Sequence, residues 1–176
     1  MVYKDILYYK MLFLWLFILP IIFANACQNS EHSGVIDEWS EITDFGLGST
    51  TYWDFRDIAF SANGTLVGVP IHDGKIWRST DSGVSWTSVG ENKGWESLTM
   101  TPDGTKWAAG VQDGNIWTSM DSGVTWTEKI VKAGDNTMDW SFIAISDDGT
   151  KLAAAEAYGR VWTSSDSGTT WTERSP

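Results

Sequence analysis

One cysteine, two histidines and four prolines in 176 residues set the first limits on this chain. A lone thiol, Cys27, forms no intrachain disulfide, so the fold depends on its apolar core. Two histidines, His32 and His72, cannot build a multi-histidine metal centre. Basic residues are also scarce: 12 Lys and Arg stand against 23 Asp and Glu, a net charge of −11. That balance argues against nucleic acid or an anionic membrane as a partner of the folded part. No helical period is visible after residue 30. A Gly-rich phosphate loop, a Cys–His pair and a Gly-x-Ser-x-Gly elbow are missing too. Asp147-Asp148-Gly149 lacks the spaced ligands of a calcium loop and aligns with turn residues elsewhere. No cofactor is implied.

Tryptophan is abundant, with 12 copies, and half of them recur with a repeat. Ser79-Thr80-Asp81-Ser82-Gly83-Val84-Ser85-Trp86 returns as Ser119-Met120-Asp121-Ser122-Gly123-Val124-Thr125-Trp126 and again as Ser164-Ser165-Asp166-Ser167-Gly168-Thr169-Thr170-Trp171. The spacing is 40 and then 45 residues, a period that signals stacked supersecondary units. Asn63-Gly64-Thr65, Asp103-Gly104-Thr105 and Asp148-Gly149-Thr150 align, as do Ile76-Trp77, Ile116-Trp117 and Val161-Trp162. Each unit divides into four short runs rich in Trp, Ile, Val and Thr, separated by Asx-Gly turns. In the middle unit the expected strands are about 97–101, 106–110, 115–119 and 124–128. The prediction is an all-β chain of about three four-stranded antiparallel β-propeller blades, an incomplete or oligomer-completed propeller behind an N-terminal hydrophobic signal segment.

The eight-residue motif resembles the Asp-box, Ser-x-Asp-x-Gly-x-Thr-Trp, of bacterial-neuraminidase-type repeats. The second and third copies match at every defined position, and the first has Ser85 for Thr. The resemblance covers about residues 52–173 and implies a turn between the third and fourth strands of each blade. Ser79, Asp81, Gly83, Trp86, Ser119, Asp121, Gly123, Trp126, Ser164, Asp166, Gly168 and Trp171 are therefore expected to be structural. The aspartates would accept backbone N–H bonds inside their own turns. Sialidases, xyloglucan-cleaving hydrolases, sortilin-type receptors and photosystem II assembly factors all carry such repeats, so the fold does not choose a function.

The expected division is 1–27 as a signal peptide or anchor, 28–51 as a linker with a partial blade strand, and repeats at about 52–91, 92–131 and 137–176. Met11–Ala24 is a 14-residue apolar run after Lys4 and Lys10, short for a membrane span and suited to a signal core. Ala24-Asn25-Ala26 has the form of a cleavage site, and Cys27 follows as a candidate lipidation site. Secretion, a lipid tether and an uncleaved anchor stay open, all placing the folded part outside the cytoplasm. Glu38-Trp39-Ser40-Glu41-Ile42 resembles a last blade strand. Blades bury their faces only against neighbours. Assembly with further copies, a longer parent protein, or a fourth blade built from 34–50 and the chain end would each supply what three blades lack.

In propellers of this kind the ligand face carries the strand 2–3 and strand 4–1 loops. The resemblance turns this into candidate ligand-binding residues: Asp54, Arg56, His72, Asp73, Glu96, Gln112, Asp113, Asp139, Glu156 and Tyr158, with Lys93 and Asp135 beside them. A sialidase would need three carboxylate-clamping arginines, a Tyr-Glu pair and an Arg-Ile-Pro motif. Only Arg56, Arg78, Arg160 and Arg174 exist, and Asp57-Ile58 follows Arg56. A glycosidase needs two opposed carboxylates, and Asp54, Glu96, Asp139 and Glu156 are candidates. Trp39, Trp53, Trp95, Trp107 and Trp140 lie outside the repeated Trp positions, and exposed Trp would stack on sugars. Alternatively Trp95 and Trp140, aligned with Phe55, pack at the start of first strands. The expected function is an exported binding module for a protein or glycan, without a recognised catalytic set. A glycoside hydrolase and a photosystem II assembly-factor-like protein are the alternatives, the acidic balance speaking against the basic patch of the latter.

Overall fold

The computed structural model describes residues 54–134, 138–157 and 159–174. Cys27, the Met11–Ala24 run, the Trp39 strand, Trp53, Asp135 and Tyr158 lie outside the described residues. Twelve strands form three antiparallel sheets of four. The first sheet is β1 (Ala59–Phe60), β2 (Val67–Pro70), β3 (Gly74–Ser79) and β4 (Thr87–Lys93). The second is β5 (Trp95–Met100), β6 (Trp107–Val111), β7 (Ile116–Ser119) and β8 (Thr127–Lys129). The third is β9 (Trp140–Ile145), β10 (Leu152–Glu156), β11 (Val161–Ser164) and β12 (Thr172–Glu173). Each sheet keeps chain order, so each repeat is one blade, as its alternating Trp and β-branched residues require.

The fourth strands begin later than the sequence suggests, at Thr127 rather than near 124. Val124 and Thr125 belong to the turn, whose hydrogen bonds hold them out of the ladder. Ser119 Oγ donates to Asp121 Oδ1 at 2.8 Å and accepts from Gly123 N at 2.9 Å. Asp121 accepts from Thr125 N at 2.8 Å and from its hydroxyl at 2.6 Å. The indole N–H of Trp126 closes the loop on Gly123 O at 2.8 Å. Ser79–Asp81–Gly83–Ser85–Trp86 and Ser164–Asp166–Gly168–Thr170–Trp171 repeat the set. Two successive residues take positive φ, 58° at Ser122 and 84° at Gly123, and glycine carries the second at no steric cost. These carboxylates are anchored inside their turns, and the hydroxyl of Ser85, Thr125 or Thr170 leads in lowering each to about 2.

Two apolar seams join the blades. Trp95, Leu98, Trp107 and Ala109 pack with Ala59 and Ile76 between blades one and two. Ile116 packs with Met138, Trp140, Ala154 and Trp162 between blades two and three. Trp95, Trp107 and Trp140 are fully buried, so they are core and present no face to a sugar. Polar bonds cross the seams as well: Leu98 N donates to Asp57 Oδ2 at 3.0 Å, and Ser97 Oγ to Trp140 O at 3.1 Å. Asp57 and Ser97 occupy one repeat position, and each bonds the backbone of the next blade, Asp57 as acceptor and Ser97 as donor.

Candidate functional site

The loops fall at two ends of the blades. At one end each Asp-containing turn rests on its own strand 1–2 turn: Ser82, Ser122 and Ser167 donate N–H to Thr65, Thr105 and Thr150 O. At the other end the strand 2–3 loop meets the segment that enters strand 1. His72 N donates to Asp54 O at 2.9 Å, Gln112 N to Gly94 O at 2.7 Å and Ala157 N to Asp139 O at 2.8 Å. The candidate ligand residues belong to this second end.

Six of them converge where blades one and two meet. Arg56 Nη2 donates to Asp54 Oδ2 at 2.7 Å, and its Nη1 stands 3.4 Å from Glu96 Oε1. His72 Nε2 lies 2.5 Å from Gln112 Oε1 and 3.5 Å from Glu96 Oε1. On the other side of the ring, Nδ1 faces Asp73 at 3.4 Å and Asp54 at 3.9 Å. Arg56, His72 and Glu96 are mostly buried, whereas Asp73 is 85 % exposed. Burial pushes the Glu96 carboxyl above its ordinary value; Arg56 and His72 pull it back, and Asp139 and Asp54 push it further up. Asp139 thus belongs to the same field. Arg56 Nε is buried with no hydrogen-bond partner among the described residues.

The other candidates go elsewhere. Glu156 turns into its own blade, accepting from Arg160 Nε at 2.9 Å and Trp162 Nε1 at 2.7 Å. Lys93 pairs with Glu91 at 3.2 Å and sits 4.2 Å over the Trp117 ring. Asp113 holds a turn at φ 49°. Gly94 is a member that residue-type reasoning misses: a β-carbon there would meet Gln112 at 3.3 Å and His72 Nε2 at 3.5 Å. Its signal was positional, one residue before the first strand of a repeat. Among the described residues no three of His, Cys, Asp and Glu are placed to hold a metal ion.

The arrangement offers a buried carboxyl beside a guanidinium, an imidazole with oxygens at both nitrogens, and a primary amide. Such a set exchanges hydrogen bonds in both directions, as peptide groups and sugar hydroxyls do. The architecture around it has known relatives. A structure of YCF48 bound to D1 peptide superposes with a TM-score of 0.60 at 14 % identity, over 70 % of this chain and 42 % of that one. YCF48 from Cyanidioschyzon merolae gives 0.59 at 14 % identity, over 70 % and 38 %. The GH74 enzyme of Niastella koreensis gives 0.54 at 16 %, over 70 % and 23 %. The described residues form blades of a β-propeller. The chain spans less than half the length of these propellers, and at such identity the likeness is one of fold. No protein-family model and no curated protein matches the sequence.

Proposed function

We propose that the chain is a non-enzymatic propeller binding module that takes a segment of a partner protein against its strand 2–3 and 4–1 loops. The observation that carries this is the convergence of Asp54, Arg56, His72, Glu96 and Gln112 from separate repeats on one blade junction. A protein is favoured over a glycan because Trp95, Trp107 and Trp140 are sealed in the seams, which leaves sugar stacking without those platforms. The peptide held by the YCF48 structure supports the same preference. Membership of the Asp-box repeat family, export, and a tether through Cys27 are part of this reading, supported by the motif and by the leader-like residues 1–27.

Panning a random peptide display library on the full chain tests it. Selected peptides should lose at least ~10-fold in affinity to His72→Ala, which removes a hydrogen-bonding partner from a partly desolvated site, and to Glu96→Gln, which replaces one carboxyl oxygen by an amide that only donates. A library that yields no sequence sensitive to either substitution rejects the loop face as the site.

Glycoside hydrolysis is the second reading, favoured by one observation: Glu96 is a carboxyl raised by burial, in the field of Asp54 and Asp139, as an acid–base pair requires. Release of reducing ends from a polysaccharide panel by the wild type, abolished in Glu96→Gln, would support it. A wild type indistinguishable from buffer ends it.

A further inference from the structure

We propose that a second copy of this chain docks head-to-tail on the trailing face of blade three, seating its Asn63–Gly64 turn against Lys151. The seat is defined by how the chain treats the same place twice within itself. Between blades one and two, the Asp103–Gly104 turn packs on Leu66, so closely that a β-carbon on Gly104 would collide with that side chain. Between blades two and three, the Asp148–Gly149 turn packs as closely on Lys106, whose Nζ donates to Asp148 O at 2.5 Å. Leu66, Lys106 and Lys151 are one repeat position. On blade three that position is exposed and edges a groove of about 490 Å³ floored by Ala144, Leu152 and Ala153.

The knob for this seat exists on the same chain. Asn63–Gly64 is the third member of the turn family, and its Oδ1 accepts from Thr65 N at 3.1 Å just as Asp103 and Asp148 do. Yet among the described residues nothing lies within 4 Å of where a β-carbon on Gly64 would stand, in contrast to Gly104 and Gly149. Val69 and Trp77 of that blade are buried, so the turn end carries the contact. Lys151 and Arg174 line the groove, and among the described residues that line it there is no carboxylate. The Lys151 ammonium would then meet the Asn63 carbonyl of the second copy as Lys106 meets Asp148 O. Two copies joined twice in this way close on each other. Such a closed dimer leaves no growing end.

The test uses the full chain in mild detergent, because of its Met11–Ala24 run. Light scattering should give two chains per particle, and Lys151→Glu should weaken dimerisation at least ~10-fold by removing the ammonium donor and placing a carboxylate against a carbonyl. Position is read by disulfide trapping in a Cys27→Ser background. Asn63→Cys chains mixed with Lys151→Cys chains should cross-link on oxidation, and neither should cross-link alone. A single-chain mass at every concentration overturns the proposal, and so does a dimer indifferent to Lys151→Glu. Cross-linking of Lys151→Cys alone would mean a symmetric face-to-face contact and overturn it as well. Association through the N-terminal segment would survive Lys151→Glu and fail to trap, and that result too overturns the proposal.

Discussion

Blades two and three are built on one repeat and differ in what stands next to them. Ile116 in β7 is 0 % exposed, while Val161 at the same place in β11 is 39 % exposed. Ser97 is 1 % exposed and its counterpart Phe142 is 64 % exposed. Ala108 is buried and Ala153 is not. Within each pair the strand, the register and the facing direction are shared. Burial on a blade's trailing face is thus a property of the neighbour, whereas the hydrogen bonds of the Asp-containing turns are the same in all three blades. The turn is a local device and the seam a non-local one, as expected for a fold whose stability is a sum of unit and interface terms.

The largest effect should come from the seam. Ile116→Ala removes a fully buried side chain and is expected to cost ~2–5 kcal/mol, against less than ~1 for Val161→Ala, which leaves little cavity. Urea unfolding of the two variants measures this. Equal losses would mean that the trailing face of blade three is covered in solution, which is what a dimer produces, so the pair is to be compared again in the Lys151→Glu background.

Gly110→Ala should follow at ~1–3 kcal/mol by overpacking. A β-carbon at Gly110 would stand 2.5 Å from Trp140 Cβ and 3.1 Å from Trp140 O, and the backbone cannot step aside. Blade three carries Ala155 at that place without penalty. Ala155→Gly should therefore shift the urea midpoint only by the backbone-entropy cost of glycine in a strand, roughly 0.5–1 kcal/mol. A tolerated Gly110→Ala would contradict the tight seam.

The turns should titrate alike whatever stands beside them. Asp81, Asp121 and Asp166 are each lowered to about 2, so their contribution is complete above the ordinary carboxylate range near 4 and is lost as pH falls towards 2. Carboxyl NMR should show Asp81, Asp121 and Asp166 titrating together at low pH, in the company of the strand 1–2 turn carboxylates Asp103 and Asp148, and Asp→Asn at any of the three should flatten part of the acid loss of stability. An Asp166 that titrates at the ordinary value, apart from the other two, would make the turn dependent on its neighbours.

The local device was legible in the residues and the non-local one was not. Ser-x-Asp-x-Gly writes a turn in which the bonds made by its Ser and Asp side chains all run within five residues, so blade number and turn position followed from spacing. The strand boundary at Thr127 was missed because the same bonds hold Val124 and Thr125 off the ladder. The grouping of Asp54, Arg56, His72, Glu96 and Gln112 was visible only as membership of one loop face, since their partners lie up to 40 residues away in the chain. Glu156 looked equivalent to that group by register. Its nearness to Arg160 and to the Trp162 indole decides otherwise, and no repeat period encodes that choice.

The smallest expected effect concerns the blade junction itself. Glu96 is raised by burial, so the folded state prefers its protonated form. For a raised carboxyl the stability it contributes is present below the ordinary value and is lost as pH rises through the folded one. Glu96→Gln mimics the protonated form at every pH. The variant should match the wild type near pH 4 and gain on it as pH approaches 7, by less than the seam substitutions lose. Arg56 at 3.4 Å works in the other direction, which keeps the gain small. Urea midpoints of the two proteins at a series of pH values give the sign directly. A wild type that overtakes the variant on raising pH would mean that the guanidinium outweighs burial, and that the junction is a true ion pair and not a strained, ligand-ready carboxyl.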